Sequence, residues 1–302
     1  MQELKRPELN GVLTELPVPF SSDGGLDYAS LHKMIHFQIE SGIVGIYLHG
    51  VGGETPFMTH EEEDGLIREA VSAAQGRIPI IANVISAGKE KAVERAKRYE
   101  AAGADMISIS QPIFYTYSDD ALADYYSAVL DSVSVPCMVY NMPSAGYTLS
   151  ASLIGRLFQD KRMIAYKDST QNIMHLQSTI AKIGRPEVRI LAGSDATFHS
   201  TLCSGGTGIV SMISMLFPRE VIKLYNFFKA GDLPRAYEQQ MFLLKVRSEL
   251  KAAPLLAGYK AVARKMGLYA CDSVRPPLTN ITEPETEALW ERLKKLRITE
   301  ES

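Results

Sequence analysis

Short apolar runs alternate with longer amphipathic segments along most of the chain. The short runs are rich in Ile and Val. Runs of this length and composition are typical of parallel strands that are buried on both faces. They predict strands over residues 11–16, 44–50, 78–85, 104–110, 136–141, 163–168, 188–193 and 207–213.

The segments between these runs have the 3.6-residue apolar period of helices. Thr59 followed by three glutamates is a typical start of a helix, and Gly103 stands where the helix of residues 89–103 should end. The pattern predicts helices over residues 27–42, 59–74, 89–103, 119–132, 150–158, 171–183, 195–203 and 217–229.

Eight strands that are each followed by a helix indicate an α/β protein, a closed (β/α)₈ TIM barrel. An open doubly wound sheet is the alternative, but no G-x-G-x-x-G turn follows the first strand. No further strand is predicted beyond about residue 232, where three amphipathic segments remain. We therefore expect a catalytic barrel domain at residues 1–231 and a C-terminal bundle of about three helices at residues 232–302.

The composition favours a function that involves small molecules. The 302 residues carry a formal net charge of −3, which attracts neither nucleic acid nor an anionic membrane. The three cysteines form no C-x-x-C pair, as expected of a reducing compartment. The opening MQELKRPELN lacks the apolar core of a signal peptide, and no apolar stretch is long enough for a membrane span. We expect a cytoplasmic soluble protein.

Lys167 is the first candidate for chemistry, because barrel enzymes act at the carboxyl ends of their strands. It follows Ala-Tyr near the end of the sixth predicted strand. Burial disfavours the charged form of a lysine, and the neutral amine can then attack a ketone. The alternative is an ion pair with the neighbouring Asp168 at the barrel rim.

Tyr140 is the second candidate, at the end of the fifth strand in Val-Tyr-Asn-Met-Pro. It precedes Lys167 by 27 residues, or one βα unit, so the two side chains should stand on adjacent strands. A tyrosine hydroxyl there can serve as general acid and base. The alternative is a core tyrosine whose hydroxyl bonds to a backbone carbonyl.

The segment His-Gly-Val-Gly-Gly-Glu, residues 49–54, follows the second strand. Its glycines would let backbone N–H groups face a small anion such as a carboxylate, although an ordinary turn has the same composition. His49 is a candidate base or a rim histidine. Asp195 and Ser211 are candidates for binding sugar hydroxyls, and Asp195 could instead cap the helix that follows it.

Together these segments resemble the dihydrodipicolinate synthase / N-acetylneuraminate lyase family of class I aldolases and dehydratases. The resemblance covers nearly the whole chain, including GVGGE (50–54), YNMPSAG (140–146), YKDST (166–170) and GIVS (208–211). It implies a TIM barrel in which Lys167 forms a Schiff base with pyruvate and Tyr140 transfers protons. The backbones of Val51 and Gly52 would bind the pyruvyl carboxylate, and that of Val210 would contact the pyruvyl group.

The resemblance also implies a homotetramer, a dimer of dimers, with an aromatic residue lent across the tight interface from QPIFYTY (111–117). It implies neither cofactor nor metal, because the iminium ion supplies the positive charge that zinc supplies in other aldolases.

The chain departs from the family where proton transfer and acceptor binding are concerned. Val51 and Gly52 lack the usual loop hydroxyls, and Phe114 stands where the family has its second tyrosine. Ala145 replaces the arginine that clamps the carboxylate of aspartate semialdehyde in dihydrodipicolinate synthases. The loop is closer to the branch that acts on 2-keto-3-deoxy sugar acids.

We therefore expect a Schiff-base-forming lyase, an aldolase or a dehydratase, that acts on pyruvate or a 2-keto-3-deoxy sugar acid. Dihydrodipicolinate synthase and N-acetylneuraminate lyase activities are alternatives within the same chemistry. An alternative of another class is a catalytically degenerate barrel that binds a 2-oxo acid as a sensor.

Overall fold

The structure is a computed structural model that describes residues 7–298. Within these residues, eight strands each lead into a helix, and three further helices follow the last pair. The strands are β1 (Gly11–Glu15), β2 (Gly45–Leu48), β3 (Ile80–Val84), β4 (Met106–Ser110), β5 (Cys137–Asn141), β6 (Met163–Asp168), β7 (Arg189–Ala192) and β8 (Gly208–Ser211).

The strands form one closed barrel in sequence order, and every neighbouring pair is parallel. Closure occurs where β1 pairs with β8, with Leu13 opposite Val210. The predicted (β/α)₈ barrel is therefore confirmed, and the open doubly wound sheet is excluded.

The helices surround the barrel and cover the outer faces of the strands. The eight that alternate with the strands are α1 (Tyr28–Glu40), α2 (His60–Ala74), α3 (Lys89–Ala101), α4 (Asp119–Leu130), α5 (Ala151–Leu157), α6 (Ile173–Ile183), α7 (Phe198–Cys203) and α8 (Pro218–Lys229). The C-terminal three are α9 (Leu233–Lys251), α10 (Leu255–Lys265) and α11 (Glu283–Lys295).

Helix ends follow the local sequence. Thr59 caps α2 and forms a capping box with Glu62, in which each side chain accepts a hydrogen bond from the other residue's backbone N–H. Helix α3 ends at Ala101, and Gly103 takes a positive φ of 102° two residues later. A glycine adopts this conformation without the steric cost that other residues meet.

Several predicted elements are longer than the observed ones. The strand predicted over residues 44–50 ends at Leu48, because His49 has a left-handed backbone with φ 58°. The helix predicted over residues 195–203 begins at Phe198, after a short 3₁₀ turn at Asp195–Thr197. Apolar content alone does not mark the residue at which the backbone leaves the strand or enters the α-helix.

The barrel interior is filled by side chains from alternate strand positions. Leu13, Tyr47, Met138 and Val210 belong to this inner cluster. Because side chains two positions apart share a face of a strand, Glu15 follows Leu13 inward and Lys167 follows Ala165. Both charged residues lie at the carboxyl ends of their strands, where the inner cluster stops.

The C-terminal helices are tied to the barrel by a buried ion pair. Lys260 of α10 contacts Glu54, and both side chains are fully buried. Glu54 also accepts a hydrogen bond from the backbone N–H of Arg275 at 2.9 Å. The segment that follows β2 is thus held by the C-terminal region.

The predicted division at residues 231 and 232 falls between α8 and α9, and the two domains remain a prediction. Their outer bounds include residues 1–6 and 299–302, which lie outside the described residues. Among the described helices, none is long and apolar enough to cross a membrane.

Candidate active site

Lys167 is fully buried on β6, at the carboxyl end of the barrel. Its Nζ lies 3.1 Å from Oε2 of Glu15 on β1, across the barrel mouth. The alternative pairing with Asp168 is wrong, because the Asp168 carboxylate accepts hydrogen bonds from Tyr166 Oη and from Thr170. Lys167 therefore points into the barrel with one carboxylate beside its amine.

Two aromatic rings flank the Lys167 amine. Nζ lies 3.9 Å from the ring centroid of Tyr47 and 4.1 Å from that of Tyr140. The rings meet edge to face, with centroids 6.3 Å apart. A cation over an aromatic face is attracted by the ring quadrupole, and the same rings exclude water. The amine is thus held in place by weak contacts on two sides and by Glu15 on a third.

Tyr140 stands directly opposite Lys167 in the β5–β6 register. This confirms that the two residues lie on adjacent strands. Burial raises the pKa of Tyr140, and the charge of Lys167 opposes that rise. The Tyr140 hydroxyl is therefore protonated at neutral pH and able to donate a proton.

Ser169 connects Tyr140 to the next strand. Its Oγ lies 3.3 Å from Tyr140 Oη and 3.0 Å from the carbonyl oxygen of Gly193. A serine hydroxyl has a single proton, which Ser169 can donate either to Tyr140 Oη or to the Gly193 carbonyl oxygen. Ser169 thus gives Tyr140 a hydroxyl partner, although Val51 and Phe114 lack the hydroxyls that the family has at those positions.

The glycine-rich loop already holds a carboxylate. The Gly52 N–H donates to Oε1 of Glu15 at 2.7 Å. A Cβ added at Gly50 would lie 2.4 Å from the same oxygen, so Glu15 approaches the loop where only glycine fits. The predicted anion-binding amide is present, and the chain's own Glu15 occupies it.

The remaining residues predicted from the resemblance lie around this centre. Gly52 is buried, whereas the Val51 side chain is 43% exposed and faces away from the inner cluster. Val210 and Ala145 are buried members of the inner cluster that contains Tyr140. Ala145 offers no charged group to an acceptor.

His49 is not brought to Lys167. Its Nε2 lies 3.2 Å from the carbonyl oxygen of Glu63, and its ring stacks on Tyr99 with centroids 4.8 Å apart. These partners belong to α2 and α3, outside the barrel. Burial lowers the pKa of His49 to about 4. The side chain is a neutral, packed histidine of the barrel rim.

Asp195 and Ser211 contact each other. The Ser211 hydroxyl donates to Oδ1 of Asp195, and the Ser214 N–H donates to Ser211 Oγ at 2.9 Å. Burial raises the pKa of Asp195. The two side chains join the ends of β7 and β8, and their recorded partners are protein groups. A cap on the following 3₁₀ turn comes from Ser194, not from Asp195.

Phe114 and Tyr115 project from the loop after β4. Phe114 is 78% exposed and Tyr115 is 72% exposed, and Phe114 has a left-handed backbone with φ 81°. Within this chain, neither residue adds a hydrogen-bond partner to the hydroxyls of Tyr140 and Ser169.

Three residues of the site were not anticipated from the sequence: Glu15, Tyr47 and Ser169. Glu15 carried a usable signal, because it is a charged residue at an inward position near the end of an apolar strand. Tyr47 reads as an ordinary core tyrosine, and its Oη does lie 2.8 Å from Ser108 Oγ. Ser169 becomes relevant only once the β6–β7 spacing is known.

Metal ligation finds little support among residues 7–298, where no group of three or more His, Cys, Asp or Glu side chains could hold an ion. His32 and His36 stand four residues apart on α1, a spacing that some metal sites use. His32 Nε2 instead lies 2.9 Å from Glu69 Oε2.

A closed (β/α)₈ barrel whose carboxyl end brings together a buried lysine, a facing tyrosine and a backbone N–H bound to a carboxylate has the architecture of a barrel enzyme. Residues 8–296 match the dihydrodipicolinate synthetase family. The chain belongs to that family, and its relatives are lyases.

Individual relatives span almost the entire chain. A 4-hydroxy-tetrahydrodipicolinate synthase of Methylobacterium radiotolerans is 32% identical over 97% of this chain and 98% of its own length. An uncharacterized DapA-like lyase of Halobacterium salinarum is 30% identical over 93% of this chain and 92% of its own length. The solved structure of YagE, a prophage protein of E. coli in complex with pyruvate, has a TM-score of 0.90 at 26% identity, covering 96% of this chain and 99% of YagE.

Proposed function

We propose that the protein is a class I lyase in which Lys167 forms a Schiff base with pyruvate or a 2-keto-3-deoxy sugar acid. The observation that carries this proposal is the buried Lys167 amine, which lies between the rings of Tyr47 and Tyr140 with a carboxylate 3.1 Å away. A lysine held beside a carboxylate and a tyrosine hydroxyl has groups at hand that can move its protons.

The reaction begins when the neutral Lys167 amine attacks the C2 ketone. The carbinolamine loses its hydroxyl as water and becomes an iminium ion, which draws electrons from C3. Cleavage of the C3–C4 bond of a 4-hydroxy-2-oxo acid then gives an enamine and an aldehyde. Protonation at C3 and hydrolysis release pyruvate and restore the lysine. A dehydratase would use the same iminium ion to expel a hydroxyl group.

Tyr140 is the proton-transfer residue of this proposal. Its hydroxyl lies on the strand beside Lys167 and has Ser169 as a partner 3.3 Å away. Gly52 would supply the N–H for the substrate carboxylate, once Glu15 has moved off that N–H. Val51 and Val210 are proposed to line the pyruvyl group through their backbones, as in the family.

The acceptor is proposed to be an uncharged polyhydroxy aldehyde. Ala145 has no charge to clamp a second carboxylate, which would lose its hydration without gaining a partner, at a cost of roughly 2–5 kcal/mol. We therefore expect kcat/KM for cleavage of 2-keto-3-deoxy sugar acids to exceed that for condensation of pyruvate with aspartate semialdehyde. Efficient turnover of the semialdehyde would reverse this assignment.

A second candidate substrate class is a ketone or aldehyde without a carboxylate beside its carbonyl group. The contact between Glu15 and the Gly52 N–H favours it, because the chain then supplies the anion itself. The sensor alternative is disfavoured, since a binder would need neither the Lys167 amine nor Tyr140 beside it.

The remaining parts of the proposal rest on the family. They are a homotetramer that acts in the cytoplasm on a small molecule, with no cofactor, metal, nucleic acid or membrane partner. The exposed pair Phe114 and Tyr115 is a candidate for the contact across a tight dimer interface. Sedimentation equilibrium that shows only a monomer at micromolar concentration would contradict the oligomer.

The decisive experiment is trapping with borohydride. The protein is incubated with pyruvate or with acetone, reduced, digested and examined by mass spectrometry. A pyruvyl adduct on Lys167 supports the 2-oxo acid, and an adduct with acetone alone supports the second candidate. Lys161, an exposed lysine six residues earlier, serves as the internal control. An adduct on Lys161 only, or none at all, would refute the mechanism.

A further inference from the structure

Glu15 is the charged group nearest to the Lys167 amine, and the family resemblance assigns it no role. It is 6% exposed, and its two oxygens are used separately. Oε1 accepts from the Gly52 N–H at 2.7 Å, whereas Oε2 lies 3.1 Å from Lys167 Nζ. A single carboxylate thus connects the anion-binding amide with the nucleophile.

Two of the hydroxyls that the family resemblance implies for proton transfer are missing from the site. Val51 has none, and Phe114 is exposed on another loop. Tyr140 is hydrogen-bonded to Ser169 and to the Lys167 amine, and Glu15 Oε2 lies 3.1 Å from the same nitrogen. Both groups adjoin Nζ, but the Tyr140 hydroxyl keeps its own proton at neutral pH, because burial raises its pKa, whereas the Glu15 carboxylate can take a proton from Nζ directly.

We propose that Glu15 is a catalytic proton carrier that deprotonates Lys167 and returns the proton to the carbinolamine hydroxyl. This inference rests on the proposed Schiff-base chemistry. Oε1 leaves the Gly52 N–H when the substrate carboxylate arrives, and Oε2 stays beside Nζ.

The proton balance of the step closes without a co-reactant. The lysine ammonium gives one proton to the Glu15 carboxylate, and the neutral amine forms the C–N bond to C2. The carbinolamine nitrogen then loses a second proton to the alkoxide oxygen, which makes a hydroxyl. The proton on Glu15 moves to this hydroxyl, the C–O bond breaks, and water leaves. The products are the iminium ion, water and an ionised Glu15.

A purely structural role for Glu15 predicts the opposite kinetic effect. An ion pair favours the charged form of Lys167, so a Glu15 that only holds the ammonium would restrain the nucleophile. Its removal would then leave the trapping rate unchanged or raise it. If Glu15 instead carries protons, its removal should slow formation of the covalent adduct by a factor of about 10²–10⁴.

Glu15 also competes with the substrate carboxylate for the Gly52 N–H. Glu15→Gln keeps the shape of the side chain and removes its charge. The variant should therefore bind L-lactate, which carries the carboxylate but no ketone, more tightly than the unaltered protein. It should at the same time form the pyruvyl adduct more slowly, so that KM and kcat both fall.

The test measures L-lactate affinity by calorimetry and the rate of borohydride-trapped adduct formation with pyruvate, for the unaltered protein and Glu15→Gln. The matched control is Glu249→Gln, which alters a carboxylate that is paired with Arg292 on the outer helices. It should change neither the affinity for L-lactate nor the rate of adduct formation. Tighter lactate binding together with trapping slowed by about 10² or more supports the proposal.

Trapping by Glu15→Gln at the unaltered rate or faster would overturn the proton-carrier role while leaving the Lys167 chemistry intact. Absence of a pyruvyl adduct in both proteins would instead refute the proposed function on which the inference rests. Circular dichroism of the variant, together with its lactate binding, distinguishes a slow step from a failure to fold.

Discussion

Among residues 7–298, two lysines are fully buried, and each is paired with a glutamate. Lys260 contacts Glu54 between the C-terminal helices and the loop after β2. Lys167 contacts Glu15 at the mouth of the barrel. The two pairs have the same chemistry and similar burial, yet the kinds of groups that surround them differ.

The Lys260 pair is surrounded by further partners. Lys260 Nζ donates to the Ser273 carbonyl oxygen at 2.8 Å and lies 4.4 Å from the ring centroid of Phe20. Glu54 accepts from the Arg275 N–H as well. Burial lowers the pKa of Lys260, and the charge of Glu54 opposes that decrease. A buried ion pair whose two charged groups also have other hydrogen-bond partners holds segments together.

The Lys167 pair has partners of another kind. Lys167 contacts Glu15, the Tyr140 side chain and the ring faces of Tyr47 and Tyr140, and Glu15 also accepts from the Gly52 N–H. Burial and ion pairing therefore do not by themselves single out the candidate nucleophile; Lys167 differs from Lys260 in the two tyrosine rings at its amine and the glycine-rich loop at its glutamate.

The largest effect should come from Lys167→Arg. The guanidinium stays protonated and cannot act as the nucleophile, so we expect no trapped pyruvyl adduct and no measurable turnover. Circular dichroism and the unfolding midpoint show whether the fold is retained. Lys161→Arg changes an exposed lysine and should keep full trapping. A pyruvyl adduct on the Lys167→Arg protein would mean that another lysine is the nucleophile.

Tyr140→Phe should reduce turnover by about 10²–10⁴, because a positioned acid–base group is removed from the site. Binding of L-lactate should change far less, since its carboxylate is expected to contact the loop. The matched control is Tyr126→Phe, a buried tyrosine whose hydroxyl has no hydrogen-bond partner among the described residues. If both variants turn over at similar rates, the proton shuttle lies elsewhere, with Glu15 as the next group to test.

Glu54→Gln should destabilise the protein by about 3–5 kcal/mol, because it leaves the buried charge of Lys260 without its counter-ion. Chemical denaturation provides the free energy of unfolding. The double variant Glu54→Gln with Lys260→Met removes both charges and should recover much of the loss. A loss below about 1 kcal/mol for the single variant would show that Lys260 becomes neutral or hydrated at little cost.

The sequence predicted the barrel because its signals are local and repeated eight times, and it predicted Lys167 and Tyr140 because both close apolar strands. Glu15 was missed although its strand was correctly placed. Its importance depends on β1 closing against β8, which brings residue 15 opposite residue 167. His49, Asp195 and Ser211 were singled out by position, but their side chains bond to protein neighbours. Side-chain direction past a strand end depends on backbone angles such as the positive φ of His49, which spacing does not encode.

The smallest predicted effect concerns His49, which begins the segment that connects the two ion pairs. Its pKa is lowered by burial from 6.5 to about 4 in the folded protein. Between these pH values the unfolded chain binds a proton that the folded chain does not, so stability falls as the pH decreases from 6.5 to 4. This pKa shift corresponds to a loss of at most about 3 kcal/mol in the free energy of unfolding, and the loss is complete only below pH 4.

His49→Asn removes the titrating ring and keeps a residue that tolerates the left-handed backbone. The variant loses the stacking on Tyr99 and is expected to be less stable at pH 7. Its free energy of unfolding should nevertheless depend less on pH between 4 and 6.5 than that of the unaltered protein. The measurement is denaturant unfolding at half-unit pH intervals, and the difference between the two curves isolates His49 from the carboxylates that titrate in the same range. Parallel curves would mean that His49 accepts a proton in place, with its ring open to water.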